Sequence, residues 1–141
     1  MTQSQTPPSA LSKGTLRLTL QGNALTSGWL PPAVSVNGHP VNSRFGTMDV
    51  PVWSGWNRVD VHARWWKTYG QGSIDFHVPP GAIVPVFYAV PYHVFTTGSI
   101  GHEPQRRKGL AASIAIVVGM VVAVLASIVA FFGLLVWLAQ P

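Results

Sequence analysis

The chain has 141 residues, 48% of them hydrophobic and only 9% charged, against about 25% charged in ordinary soluble domains, so part of it belongs in lipid or deep in a core. It contains no cysteine, which excludes disulfides, thiolate zinc sites and thiol nucleophiles. Its net charge of +5 owes three of nine basic residues to the run Arg106-Arg107-Lys108. The six basic and four acidic residues before that run are too evenly balanced to track phosphates, which argues against nucleic-acid binding.

Residues 1–14, MTQSQTPPSALSKG, are polar, contain proline and are almost uncharged. They lack the basic start and apolar stretch of a signal peptide, and a disordered lead-in is expected. From residue 15 to 101 the dominant period is two. Leu16, Leu18 and Leu20 alternate with Thr15, Arg17, Thr19 and Gln21. Val59, Val61 and Ala63 alternate with Arg58, Asp60, His62 and Arg64, and Ile74, Phe76 and Val78 with Ser73, Asp75 and His77. Each reads as a strand with one buried face.

Turn chemistry separates further short strands. Asn37-Gly38 is a favoured type I′ pair between Ala33–Val36 and His39–Val41. Ser54-Gly55, Tyr69-Gly70-Gln71-Gly72 and Pro79-Pro80-Gly81 punctuate the rest. Val84 to Val90 reads as a central strand that Pro85 confines to an edge or a bulge. About seven strands without a 3.6-residue period predict a small antiparallel β-sandwich over residues 15–101.

The order Val34-Ser35-Val36-Asn37-Gly38-His39-Pro40-Val41, then Met48-Asp49-Val50-Pro51-Val52, then a glycine turn and Trp56-Asn57-Arg58-Val59-Asp60-Val61, resembles the PEGA and carboxypeptidase-regulatory type of prealbumin-like sandwich. The likeness covers residues 15–78 and lacks the residues of the eponymous tetrapeptide. It implies a non-catalytic adhesion or scaffolding module. A sandwich of this kind with one C-terminal span is also similar to small membrane proteins of actinobacteria, some of which ride on larger envelope or respiratory assemblies.

Chemistry-bearing groups are few. Asp60, His62, Asp75 and His77 share a polar face if the strands around Tyr69–Gly72 form a hairpin. They make either a metal or acid–base constellation or a face charge-paired with Arg58 and Arg64. The absence of zinc-type histidine spacing favours the second. His39, His93 and His102 stand alone in turns or loops. No nucleophile, base and orienter assemble, so no enzymatic activity, small-molecule substrate, cofactor or metal is expected. The aromatics Trp53, Trp56, Trp65, Trp66 and Tyr69 crowd two strand ends, and Phe87, Tyr88, Tyr92 and Phe95 follow in the last strands. Consecutive Trp65 and Trp66 on a strand put one ring on each face, and the outward one is expected against a partner or the bilayer interface.

Residues 102–109 form a basic juxtamembrane linker, and the segment 92–105 is short enough to keep the domain near the headgroups. No charged residue occurs from Leu110 to Ala139. A helix of that length spans about 45 Å, against a hydrocarbon core of about 30 Å, so a single transmembrane helix is predicted, with Trp137 as an interfacial anchor. The positive-inside rule puts Arg106, Arg107 and Lys108, and the domain before them, on the cytoplasmic side of the cell membrane. The triplet also suits anionic headgroups. The late position of the helix suggests insertion after translation, as in tail-anchored proteins.

At about 100° per residue, Ala115, Gly119, Ala123, Ala126, Ala130 and Gly133 fall within an arc of about 80°, a stripe that lets another helix approach closely in lipid. The expected partners are therefore membrane lipids and a polytopic membrane protein, or a second copy of the chain. The expected function is that of an accessory or scaffolding subunit of a larger membrane complex. The alternative is a membrane-tethered binding module for lipid headgroups or an envelope ligand through exposed aromatics.

Overall fold

The computed structural model describes residues 12–22, 30–64 and 66–140. The predicted disordered lead-in falls mostly outside these, although residues 13 and 14 already belong to the first strand. The chain divides into two units between Lys108 and Gly109. Among its described residues the first contains eight strands: β1 (Lys13–Gln21), β2 (Ala33–Val36), β3 (His39–Val41), β4 (Gly46–Trp53), β5 (Gly55–Arg64), β6 (Thr68–Val78), β7 (Ile83–Ala89) and β8 (Ser99–Gly101). The second is one helix, α1 (Leu110–Leu138).

The strands form two four-stranded sheets, in the orders β4-β1-β7-β8 and β3-β2-β5-β6. Every pairing is antiparallel except that of β1 with β7, which is parallel. The alternating segments supply the core. Leu16, Leu18, Leu20 and Val86 from one sheet and Val59, Val61, Phe76 and Val78 from the other are almost wholly buried in a single cluster. Each such side chain contributes about 1.5–3 kcal/mol on burial. The Asn37-Gly38 turn has positive φ at both residues, 51° and 80°, as a type I′ hairpin requires. Its Asn37 side chain accepts from the Arg58 amide and donates to buried Asn57, which in turn donates to the carbonyls of Trp53 and Gly55. Two turns are thereby fastened by one pair of amides.

The segment Tyr69–Gly72 is not the turn its glycines suggest. It lies within β6, and the chain reverses between Arg64 and Thr68 instead. The register against β5 shifts between Val61 and Ala63, and Gly70 there adopts φ 63°, the left-handed conformation that a bulge assigns to glycine. The Gly70 carbonyl points inward and accepts the hydroxyl of Tyr88, a fully buried residue. Burial pushes the Tyr88 phenol well above its ordinary pKa, so this group stays a neutral donor. Gly98 packs so closely that an added Cβ would overlap both the Tyr88 ring and the Gly70 carbonyl oxygen.

β7 lies between β1 and β8, but β8 pairs only with Phe87, Tyr88 and Ala89. At Pro85 the strand therefore has an open side, where a proline without an N–H is tolerated. The Pro85 carbonyl there meets His102 Nδ1 at 2.8 Å.

Candidate interaction surfaces

The register sorts the connections onto two ends of the sandwich. Leu20 lies opposite Gly46, Gln21 beside Ala89 and Arg64 opposite Thr68. Residues 30–32, 42–45, 66–67 and 90–98 consequently gather at the end toward which β1 and β7 run. The Asn37-Gly38 hairpin, the turn at Ser54 and residues 79–82 gather at the other end, where Lys13 lies opposite Trp53 and Gly55 opposite Val78.

At the first end the chain leaves the sandwich, and the basic run is tied to it there. The Arg107 Nε donates to the Val90 carbonyl at 2.9 Å, and its guanidinium lies 4.2 Å from the centroid of the Tyr92 ring. The Tyr92 amide donates to the Lys108 carbonyl at 3.0 Å. Upstream, the Gln105 amide donates to Gln21 Oε1. The predicted linker thus runs along the domain, with Arg107 half-buried while Arg106 and Lys108 are exposed. Only Gly109 separates Lys108 from the first residue of α1.

The aromatics divide differently from the strand-based expectation. β5 ends at Arg64, so Trp66 sits in the connection to β6 and is 69% exposed; Trp65 lies outside the described residues. Tyr92 and Phe95 are in the 90–98 connection, not in a strand, and Phe95 is 71% exposed. Lys67 Nζ lies 5.6 Å from the Phe95 ring. Tyr88 belongs to the core. At the opposite end Lys13 lies over Trp53, and Trp56, which is 76% exposed, meets His77 edge to face at 5.6 Å.

Asp60, His62, Asp75 and His77 do belong to neighbouring strands, but Arg58 occupies the position between the carboxylates, 3.1 Å from Asp60 and 3.6 Å from Asp75. The Ser73 hydroxyl donates to Asp60 and, with a smaller contribution from Arg58, holds its carboxyl below the ordinary value against partial burial. On the other sheet Arg17 grips Asp49 through two bonds of 2.8 Å and lowers its pKa. These are paired, solvent-facing ladders. Among the described residues no three His, Cys, Asp or Glu side chains stand close enough together to hold a metal ion.

α1 has 29 residues, about 43 Å at 1.5 Å per residue, and is long and apolar enough to cross a membrane. None of its residues is buried. Ala115, Gly119, Ala123, Ala126, Ala130 and Gly133 are all exposed, as is Trp137 in the last turn. A Cβ added at Gly119 or Gly133 would meet no atom within 4 Å. A shallow groove on the helix is lined by Ala123, Val124, Ser127, Ile128, Phe131 and Phe132. It reaches beyond the stripe to Ser127, whose hydroxyl is already satisfied by the Ala123 carbonyl at 2.8 Å.

Sequence reasoning overlooked that Lys67, Arg64, Arg44 and Leu30 belong to the end from which the basic run leaves, because nothing in a single strand's alternation says which turns share an end. No protein-family model matches this chain, and neither does any curated protein or solved structure. The PEGA-type resemblance rests on its turn-and-strand motifs.

Proposed function

We propose that this protein is a non-enzymatic, single-pass subunit of the cell membrane: α1 crosses the bilayer, the sandwich stands on the cytoplasmic side, and the Ala/Gly side of α1 packs against a polytopic membrane protein or a second copy of the chain. The observation supporting this reading is α1 itself, an uncharged 29-residue helix with no buried residue and its small residues gathered on one side. In lipid, helices associate through close packing, and small residues permit the approach. The basic run immediately before α1 supports the orientation. A scaffold-like sandwich with paired surface charges accords with a structural role.

The test is a Gly119→Leu/Ala123→Leu variant purified from native membranes in mild detergent. A Cβ added at Gly119 meets no atom within 4 Å, and both substitutions keep the helix uncharged and apolar. The partner, or the dimer, should be lost by at least about tenfold, the equivalent of about 1.4 kcal/mol. Unchanged co-purification and unchanged size would reject the docking role. A reporter fused after α1 that is active only in the cytoplasm would reverse the orientation.

A further inference from the structure

We propose that the end of the sandwich from which the chain leaves is a seat for the anionic surface of the bilayer that holds α1. The proposal depends on insertion of α1 and not on the docking of its small-residue side.

Charge is the first argument. Arg44, Arg64, Lys67, Arg106, Arg107 and Lys108, six of the nine basic residues, belong to this end or to the chain leaving it. The other three are engaged elsewhere: Arg17 with Asp49, Arg58 with Asp60 and Asp75, and Lys13 over Trp53. The acidic residues stay with those ladders, apart from Glu103, which follows β8. Folding thus takes a chain whose sandwich portion is nearly balanced and gathers these six basic residues at one pole, away from the acidic ladders. Such a pole complements a negatively charged leaflet.

Chemistry is the second argument. Leu30, Trp66, Tyr92 and Phe95 are exposed among these cations. Lys67 lies beside the Phe95 ring, and Arg107 beside the Tyr92 ring. Rings and charges therefore form one surface. Aromatic groups with adjacent Lys and Arg are the composition that membrane–water interfaces select: the rings enter the headgroup layer and the cations meet phosphate. The far end has exposed Trp53 and Trp56 with Lys13 and Arg58 nearby, but Arg58 is paired with Asp60 and Asp75, so exposed tryptophan alone does not distinguish the seat.

Continuity is the third argument. Tyr92 holds the Lys108 carbonyl, and α1 begins at Leu110. The stretch between that bond and an α1 inserted in the bilayer is the single residue Gly109.

The chain contains no cysteine, so single-cysteine variants report unambiguously. Spin labels at Phe95→Cys, Trp66→Cys, Trp56→Cys and Ala123→Cys are read in full-length protein in nanodiscs by accessibility to oxygen and to a water-soluble nickel chelate. In phosphatidylglycerol-containing discs, positions 95 and 66 should be shielded from nickel while position 56 stays exposed. Replacing Arg44, Arg64 and Lys67 together with Gln should weaken seating by on the order of 100-fold, about fivefold per charge, and expose position 95. Position 123 should remain lipid-embedded. Positions 95 and 66 as accessible as 56 in anionic discs would overturn the proposal, as would equal shielding in pure phosphatidylcholine. A water-accessible position 123 would instead overturn insertion, and with it both readings.

Discussion

The two ends of the sandwich both expose aromatic rings, yet their surroundings differ. At the far end, turns are short and tied to one another: Asn37 and Asn57 hold backbone groups of two turns, and Trp56 leans on His77. At the chain-exit end, longer connections are held by Tyr88 to Gly70, Arg107 to Val90 and Gln105 to Gln21. The difference teaches that local signals suffice to build a turn, whereas a surface combining cations and rings from separate connections requires the whole register.

That contrast can be broken hardest at glycine. Gly98→Ala drives a methyl into the Tyr88 ring and the Gly70 carbonyl and should cost about 3 kcal/mol. Gly81→Ala at the far end meets open space and pays only for its φ of 71°, about 1–2 kcal/mol. Urea unfolding of the two variants in the same detergent checks the order; equal midpoints would erase the distinction. Next in size is Arg107→Gln, which removes the guanidinium from Val90 and Tyr92 and should cost about 1 kcal/mol. Its effect should be local, appearing as faster hydrogen exchange at the Tyr92 amide while the Val59 and Val61 amides stay protected. The smallest effect concerns acid. Asp60 has a lowered pKa in the folded state, so its contribution to stability is complete above the ordinary carboxylate range and disappears as pH falls through the folded value. Ser73→Ala removes the main cause and should move the Asp60 titration upward, as followed by carboxyl NMR, without altering that of Asp49 on the other sheet.

Much of the fold was legible before any register was known. The alternation of Leu16, Leu18 and Leu20, of Val59, Val61 and Ala63, and of Phe76 and Val78 announces three half-buried strands, and Asn37-Gly38 announces its hairpin. The uncharged run after Lys108 announces α1 to within a residue. Alternation specifies a face, not a neighbour, so the parallel partnership of β1 with β7 could not be anticipated. The glycines at 70 and 72 look like a turn because a bulge and a turn both need positive φ; what distinguishes them is the buried Tyr88 hydroxyl waiting for the Gly70 carbonyl. The same limit explains the surfaces. Arg106-Arg107-Lys108 was visible as a run, while Arg44, Arg64 and Lys67 joined it only through pairing across two sheets.

Gly119 and Gly133 carry one more consequence. An added Cβ at either meets no atom within 4 Å among the described residues, so the fold itself leaves room there for more than glycine. In a saturation library selected first for expression and then for association, the two selections should part company at these positions. Whatever ceiling on volume emerges in the second is a mould of the surface that α1 meets, and its profile along the helix would measure how closely that neighbour approaches, turn by turn.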